Sequence, residues 1–464
     1  MKLYNSLTNK KEEFRPIEEG KVSIYACGPT VYNDMHVGNV RPQVVFDVLR
    51  RFFIYLGYDV KYVSNFTDVD DKIINKANEE NTTIDVISKR YIESVEDDLK
   101  ALHVYDYPII HPTCTEHMDD IIEFIDGLIK KDFAYESNGD VYFRVRKLKD
   151  YGKLSNRNIE DLEVGARIEK NEIKEDPLDF TLWKKKKEGE VYWDSPWSEG
   201  RPGWHIECST MIKSIFGGTI DIHCGGEDLK FPHHENEIAQ SEALMDKPLA
   251  HYWLHNGMIN IENVKMSKSL GNFLYAKDFL EKESGEVLRF FILNAHYRKP
   301  LNFNAEAIEA AKTSLRRLKN SKKRLAELLE TAEDAPATEE ISKKIGEIRE
   351  SFKAHMSDDL NTPDAFSDMF ALSKFANSAI DENSTKGSIE EALKLFGEFT
   401  EVLGVLQDDE EAGLDSEVKE LMRQRDEARK NKDYKLSDEI RDRLTEMGYI
   451  VKDTPNGTEV EKKW

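Results

Sequence analysis

Three short stretches carry residue types that could act together on one ion: Cys27, the run Gly203-Trp204-His205-Ile206-Glu207-Cys208, and the run Phe231-Pro232-His233-His234-Glu235-Asn236-Glu237. Pro232 stands where it can begin a helix, and residues four apart on a helix share a face. His233 and Glu237 can then converge, and the thiolates of Cys27 and Cys208 would complete a tetrahedral zinc shell of soft and hard donors. Spacing alone weighs this equally against a polar helix start beside two unrelated core cysteines. It also leaves His234 and Glu235 as substitutes for the helix pair, and Cys224 for either thiol. The four cysteines, Cys27, Cys114, Cys208 and Cys224, are few and far apart. In a long cytosolic chain that argues for metal or catalytic work over a disulfide framework.

A second kind of chemistry is suggested by Val22 to Arg41. Val22, Ile24 and Tyr25 read as a short strand broken by Gly28-Pro29-Thr30, and a helix is expected from Val40 or Arg41, with Val44, Val45, Val48, Leu49 and Phe52 at helical spacing. A strand running through a glycine-bearing turn into a helix sets backbone N–H groups and a helix N-terminus against a phosphate. His36-Val37-Gly38-Asn39 lies where that helix is about to start. Far along the chain, Lys265-Met266-Ser267-Lys268-Ser269 is a polar loop with two lysines three apart, by default a solvated turn.

The elements that must position these groups form a parallel sheet. Val60 to Phe66 reads as a second strand, completing a βαβ unit, with Thr67-Asp68-Val69-Asp70-Asp71-Lys72 at its carboxyl end, where open α/β sheets bind ligands. From Cys114 to Gly200 the texture changes to a helix, a hairpin at Asp140–Val145 and a polar stretch, read as an insertion. Within it Lys184–Lys187 is expected to be a solvated loop, and Asp194–Trp197 with Gly200–Trp204 a shaped loop without core strand. The sheet resumes at Thr219–His223, ending in Cys224-Gly225-Gly226, and again at Trp253–Ile259. Beyond Ala305, four apolar stripes, beginning with Ile308, Leu315, Leu318, Leu325 and Leu329, predict a helical bundle.

The fold class is therefore α/β, a Rossmann-type parallel-sheet domain with an insertion, followed by a helical bundle and a small C-terminal module. The expected divisions are 1–113 and 201–250 for the two sheet halves, 114–200 for the insertion, 251–304 for the lysine-loop region, 305–407 for the bundle and 408–464 for the tail. The 464 residues suffice for two to four domains, and no apolar run approaches the roughly 20 residues of a membrane span. The amino terminus opens no signal peptide, so the cytoplasm is the default. A net charge of −23 argues against broad, sequence-blind nucleic-acid binding but leaves room for local basic clusters such as Arg423 to Lys435.

His36-Val37-Gly38-Asn39, inside Tyr25-Ala26-Cys27-Gly28-Pro29-Thr30-Val31-Tyr32, resembles the first signature of class I aminoacyl-tRNA synthetases as it looks in the cysteinyl-tRNA synthetase family, with Asn39 replacing the second histidine by another neutral donor. Lys265–Ser269 is similar to the second signature, unaltered. The run from Trp193 through Cys208 to Glu237 looks like the same family almost without interruption. The resemblance implies zinc held by Cys27, Cys208, His233 and Glu237, with Cys224 a bystander thiol where the family commonly has glycine. It implies that Trp204, His223 and Thr67 shape the cysteine pocket. Lys268, assisted by Lys265, would neutralise charge on the phosphoryl oxygens of ATP with Mg2+, with His36 and Asn39 holding the phosphates from the other side. Thr30 and Gly38 would line the nucleotide, and Gly226 and Asp228 would lie near its ribose. The implied reaction joins cysteine to tRNA(Cys) through an adenylate, by a monomer whose tail reads the anticodon, where Trp464 could stack on a base. The rivals are a zinc-dependent cysteine ligase with an amino-sugar acceptor and a catalytically silent tRNA-binding paralogue.

Overall fold

The chain opens on a hairpin, β1 (Lys2–Asn5) with β2 (Lys10–Glu13), and then enters β3 (Lys21–Ala26), α1 (Val37–Tyr55) and β4 (Asp59–Ser64). This computed structural model describes residues 1–159, 173–262, 264–265, 273–407, 416–454 and 457–462. Next come α2 (Asp71–Glu79), α3 (Ile84–Ala101), α4 (Met118–Lys130) and the strands β5 (Ala134–Ser137), β6 (Asp140–Phe143), β7 (Phe180–Lys185) and β8 (Gly200–Pro202). The chain returns through α5 (Ile206–Phe216), β9 (Ile220–Gly226), α6 (Glu235–Met245) and β10 (Ala250–Asn256).

The central sheet has the order β10-β9-β3-β4, all parallel. Its strands are buried on both faces, as parallel strands covered by helices must be. The chain leaves β3 towards β4 on one side and returns as β9 on the other. The strand order therefore reverses between β3 and β9, which opens a crevice at their carboxyl ends. Cys27 follows β3, and Cys224 to Gly226 end β9, so both flank that crevice.

Three expectations are corrected. Of the Lys184–Lys187 run read as a solvated loop, Lys184 and Lys185 end strand β7, paired with Arg201 and Gly200. Helix α1 starts at Val37, three residues before Val40, because His36 caps it: its Nδ1 accepts from the Asn39 amide at 3.3 Å. Gly200-Arg201-Pro202 is a strand after all, paired with β7 in the four-stranded antiparallel sheet β5-β6-β7-β8. An edge position tolerates its proline. A Cβ on Gly200 would meet the Lys184 carbonyl at 2.3 Å, so the close pairing requires glycine there.

Beyond β10 lie β11 (Ile259–Ile261), β12 (Val264–Lys265), α7 (Ala276–Leu280), α8 (Gly285–Leu293) and β13 (Leu301–Phe303). The bundle follows as α9 (Ala305–Leu329), α10 (Glu339–Ser357), α11 (Thr362–Ala379) and α12 (Lys386–Leu403), burying the stripes read from the sequence, with Phe352 stacked on Phe399 at 4.1 Å. A buried charge knot binds it to the sheet domain. Asp47 of α1 accepts from Arg50, from Arg51 at 2.7 Å and from Arg289 of α8. Arg289 also donates to the Leu403 carbonyl at 2.6 Å, and Arg51 to that of Glu401 at 3.0 Å. Burial alone would raise Asp47, but Arg289, Arg51 and Arg50 outweigh it and hold the carboxyl at about 2. The last module, α13 (Ser416–Lys430), α14 (Tyr434–Glu446), β14 (Tyr449–Thr454) and β15 (Gly457–Lys462), has its own small core around Val418, Leu444 and Tyr449.

Candidate metal and nucleotide site

Four elements meet at the crevice between β3 and β9. Cys27 enters from the end of β3, Cys208 from the first turn of α5, His233 from the turn that leads into α6 and Glu237 from the first turn of α6 itself. All four are buried, and their ligand atoms lie within 4.8 Å of one another. The Cys27 and Cys208 sulfurs are 3.8 Å apart, Cys208 Sγ and His233 Nε2 3.7 Å, Cys27 Sγ and Glu237 Oε1 3.5 Å, and His233 Nε2 and Glu237 Oε1 3.0 Å. A tetrahedral zinc with sulfur at about 2.3 Å and nitrogen or oxygen at about 2.1 Å needs edges of about 3.4 to 3.8 Å. Three of these four edges fall in that range, and the His233–Glu237 edge at 3.0 Å is shorter than it.

The four groups also shift one another's protonation. The Cys27 thiol beside Cys208, helped by His233, draws Cys208 down to about 6, while burial pushes Cys27 well up. Burial alone would depress His233, but Glu237 and Cys208 lift it to about 10. Burial alone would raise Glu237, yet His223 and His233 hold it well below the usual carboxylate range. Without an ion the proton on His233 answers the charge of Cys208 and Glu237; a metal bound here would take that proton's place.

The tertiary structure narrows the substitutes that spacing left open. Glu235 is committed elsewhere: its carboxylate accepts from Gly152 N at 3.0 Å, Leu154 N at 3.3 Å and Ser155 N at 2.8 Å. Cys224 belongs to neither group of clustered donors. His234 does belong to one. With Cys27, His223 and Glu237 it forms a second set, in which His234 Nε2 meets Cys27 Sγ at 3.2 Å and His223 Nε2 meets Glu237 Oε2 at 2.8 Å. His234 Nδ1 leads on to His255 Nε2 at 2.9 Å, and His255 Nδ1 to Ser6 Oγ at 2.8 Å. This line through His255 and Ser6 was not read from the sequence. The only sequence signal for it is the i, i+2 pair Trp253 and His255, which shares one face of β10. Gly225 makes room for it, since a Cβ there would fall 2.7 Å from His234 Cε1.

Around the cluster, Trp204 stacks on His233 at 4.4 Å and stays 40% exposed, so it borders the opening. His223 stacks on Trp253 at 4.4 Å. Thr67 pairs with Thr30 across the strand ends and donates to the buried Glu207 at 2.9 Å. Gly28 closes this floor: its N–H donates to Asn65 Oδ1 at 3.0 Å, and a Cβ would lie 1.6 Å from the Asn65 carbonyl. His36, Gly38 and Asn39 form the N-terminal turn of α1 on the same carboxyl edge, Gly226 ends β9 and Asp228 follows it. Lys265 pairs with Asn260 through the backbone of β12. Lys268 and Trp464 lie outside the described residues.

Residues 13–313 match the model of the class I (C) tRNA synthetase catalytic domain, 351–407 that of the DALR domain, and 411–460 that of the cysteinyl-tRNA ligase anticodon binding domain. The cysteine–tRNA ligase of Shouchella clausii is 55% identical over 98% of both chains, and that of Finegoldia magna 53% over 98% of both. The chain belongs to the cysteinyl-tRNA synthetase family. As an aminoacyl-tRNA synthetase it shares the class I fold with distant solved structures. Mycobacterium tuberculosis methionyl-tRNA synthetase superposes with a TM-score of 0.59 at 13% identity, covering 82% of this chain and 89% of that one. Among the described residues, no helix of this synthetase is long and apolar enough to cross a membrane.

In the tail of this synthetase most of the arginines read as basic are paired. Arg423 meets Glu420 at 2.8 Å, Arg425 and Arg429 share Asp453 at 2.5 and 2.8 Å, and Arg443 meets Glu417 at 2.6 Å. Exposed cations lie instead at the corner between α13 and α14, where Lys430 and Lys432 precede Tyr434, which is 65% exposed.

Proposed function

We propose that the chain activates cysteine with ATP, releasing pyrophosphate, and transfers the cysteinyl group from the adenylate to the 3′ end of tRNA(Cys). The observation that carries the zinc-dependent selection of cysteine is the buried convergence of Cys27, Cys208, His233 and Glu237. A hydrophobic pocket discriminates poorly between isosteres, so cysteine against serine is a hard choice by packing alone. Zinc held by these four residues would take the substrate sulfur as a further ligand, which would favour a thiolate over a hydroxyl. Trp204, His223 and Thr67 then bound the small remaining space, and His223 keeps Glu237 ionised.

Activation needs no general base, since the substrate carboxylate itself attacks the α-phosphate. The protein therefore acts by positioning and by stabilising charge. His36, Gly38 and Asn39 offer the N-terminus of α1 to the phosphates, with Thr30 beside them and Gly226 and Asp228 towards the ribose. Lys268, assisted by Lys265, neutralises charge on the opposite side, with Mg2+ accompanying ATP. The tail reads the anticodon, with Lys430 and Lys432 suited to phosphates and Tyr434 to an unpaired base. The protein acts in the cytoplasm as a monomer, divided into sheet halves, insertion, lysine-loop region, bundle and tail as the sequence suggested. Cysteine-dependent pyrophosphate exchange together with charging of tRNA(Cys) tests this. Exchange without charging would favour a cysteine ligase with another acceptor, and neither activity would leave a silent paralogue.

A further inference from the structure

Cys27 and Glu237 each belong to two groups of donors. One is the shell described above; the other joins them to His223 and His234, and its ligand atoms also lie within 4.8 Å of one another, all of them buried. Glu237 turns a different oxygen to each group: Oε1 lies 3.0 Å from His233 Nε2, and Oε2 lies 2.8 Å from His223 Nε2. The Cys27 sulfur likewise has two neighbours, Cys208 Sγ at 3.8 Å in the first group and His234 Nε2 at 3.2 Å in the second. The groups therefore share one thiol and one carboxylate and compete for no other side chain.

The second group has the surroundings of a ligating histidine. His234 Nδ1 meets His255 Nε2 at 2.9 Å, and His255 Nδ1 meets Ser6 Oγ at 2.8 Å, so the ring is held with Nε2 towards Cys27. A partner on the other ring nitrogen fixes the tautomer and orientation of an imidazole that binds a metal. His223 lies against Trp253 with 14° between the ring planes. Beside them Gly225 leaves a hollow that a Cβ would fill, 2.7 Å from His234 Cε1 and 3.0 Å from Nε2. The contacts of 2.8 and 3.2 Å have hydrogen-bond length, shorter than the edges of about 3.4 to 3.8 Å in a zinc shell. An ion entering here displaces the protons of those two contacts, and the donors must part by roughly 0.5 Å.

Charge decides whether two ions can coexist. With Cys27 and Cys208 as thiolates and Glu237 ionised, the donors carry three negative charges and the histidines none. One divalent ion leaves one negative charge unanswered; two leave one positive charge, which a substrate thiolate would cancel. Paired ions in enzymes sit about 3.5–4 Å apart, a spacing that suits a carboxylate offering one oxygen to each. We propose that Cys27, His223, His234 and Glu237 hold a second divalent, thiophilic ion beside the first, with Cys27 and Glu237 bridging the pair. It binds more weakly than the first, because it displaces two hydrogen-bonded protons and approaches an ion already in place. The proposal rests on the reading of the first group as a zinc shell and not on adenylation or on the acceptor.

The test is the metal stoichiometry of the full-length chain. Equilibrium dialysis against rising zinc should reach two ions per chain in two steps. With cobalt(II) in place of zinc, the thiolate-to-metal absorption should grow again in the second step, because Cys27 binds both ions. His234→Gln should hold one ion only. Ser6→Ala should weaken the second step roughly tenfold through His255 and His234, and leave the first alone. A chain that saturates at one ion, a second ion that brings no new thiolate absorption, or a second ion that survives in His234→Gln would overturn the proposal. Should His234→Gln fail to fold, His223→Gln and Ser6→Ala carry the same comparison. An unaltered chain that holds no ion at all would instead overturn the zinc reading itself.

Discussion

Replacing Cys208 by serine isolates one donor of the proposed shell without disturbing its surroundings, because the side chain is 3% exposed and serine is nearly the same size. The Cys208 thiol is drawn down to about 6, so at neutral pH it stands ready as a thiolate, whereas a serine hydroxyl remains protonated. A structural zinc site is worth about 10–16 kcal/mol, or about 3 kcal/mol for each of four ligands. The variant should therefore bind zinc roughly 10²-fold more weakly, measured by competition with a chelator of known affinity. The KM for cysteine in pyrophosphate exchange should rise with it at limiting zinc and recover as zinc is added. His234→Gln should cost less, since in the proposed shell His234 only supports Cys27, and Cys224→Gly should leave metal content alone. Full zinc retention and unchanged cysteine binding in Cys208→Ser would refute the assignment. A larger loss in His234→Gln would move the ion to the set made by Cys27, His223, His234 and Glu237.

Lys268→Ala should lower the adenylation rate by about 3 kcal/mol of transition-state stabilisation while changing ATP binding little, and a rise confined to the KM for ATP would make the lysine a binding group. Truncation before Leu414 should leave pyrophosphate exchange intact and abolish charging of tRNA(Cys), and normal charging by the shortened chain would show the tail to be dispensable. Gly225→Ala should displace His234 from Cys27, since the new Cβ would stand 2.7 Å from its ring, and zinc affinity should fall while the melting temperature of the metal-free protein changes little. Asp47→Asn should cost about 3–5 kcal/mol in urea unfolding at neutral pH, because three buried guanidiniums lose their counter-charge. Asp47 is held at about 2, below its ordinary value of 3.8, so the stability it contributes is complete above pH 4 and is lost as pH falls towards 2. The difference between the two proteins should shrink over that window, and a gap that widened on acidification would contradict the sign.

The family motifs, the parallel-sheet pattern and the bundle stripes are local features, and the sequence alone determined them. Helical and strand periodicity depends on residues a few positions apart, which is why Ile308 to Leu325 and the strand at Val22 to Tyr25 can be read without knowing what they touch. The pairing of Cys27 and Cys208 with His233 and Glu237 could be suggested by type and spacing. Only the fold decides that Glu235 is spent on the 152–155 turn and that His234 lies close enough to Cys27 to offer a second set of donors. The start of α1 at Val37 depended on the His36 cap, and the strand at Gly200–Pro202 on a neighbour across the sheet. Arg289 and Asp47 carried no motif at all. They lie 242 positions apart along the chain. Such contacts arise when the strand order reverses between β3 and β9 and the bundle docks on α1. They follow from which buried surfaces can be matched and which buried charges must be answered, and no local pattern records either.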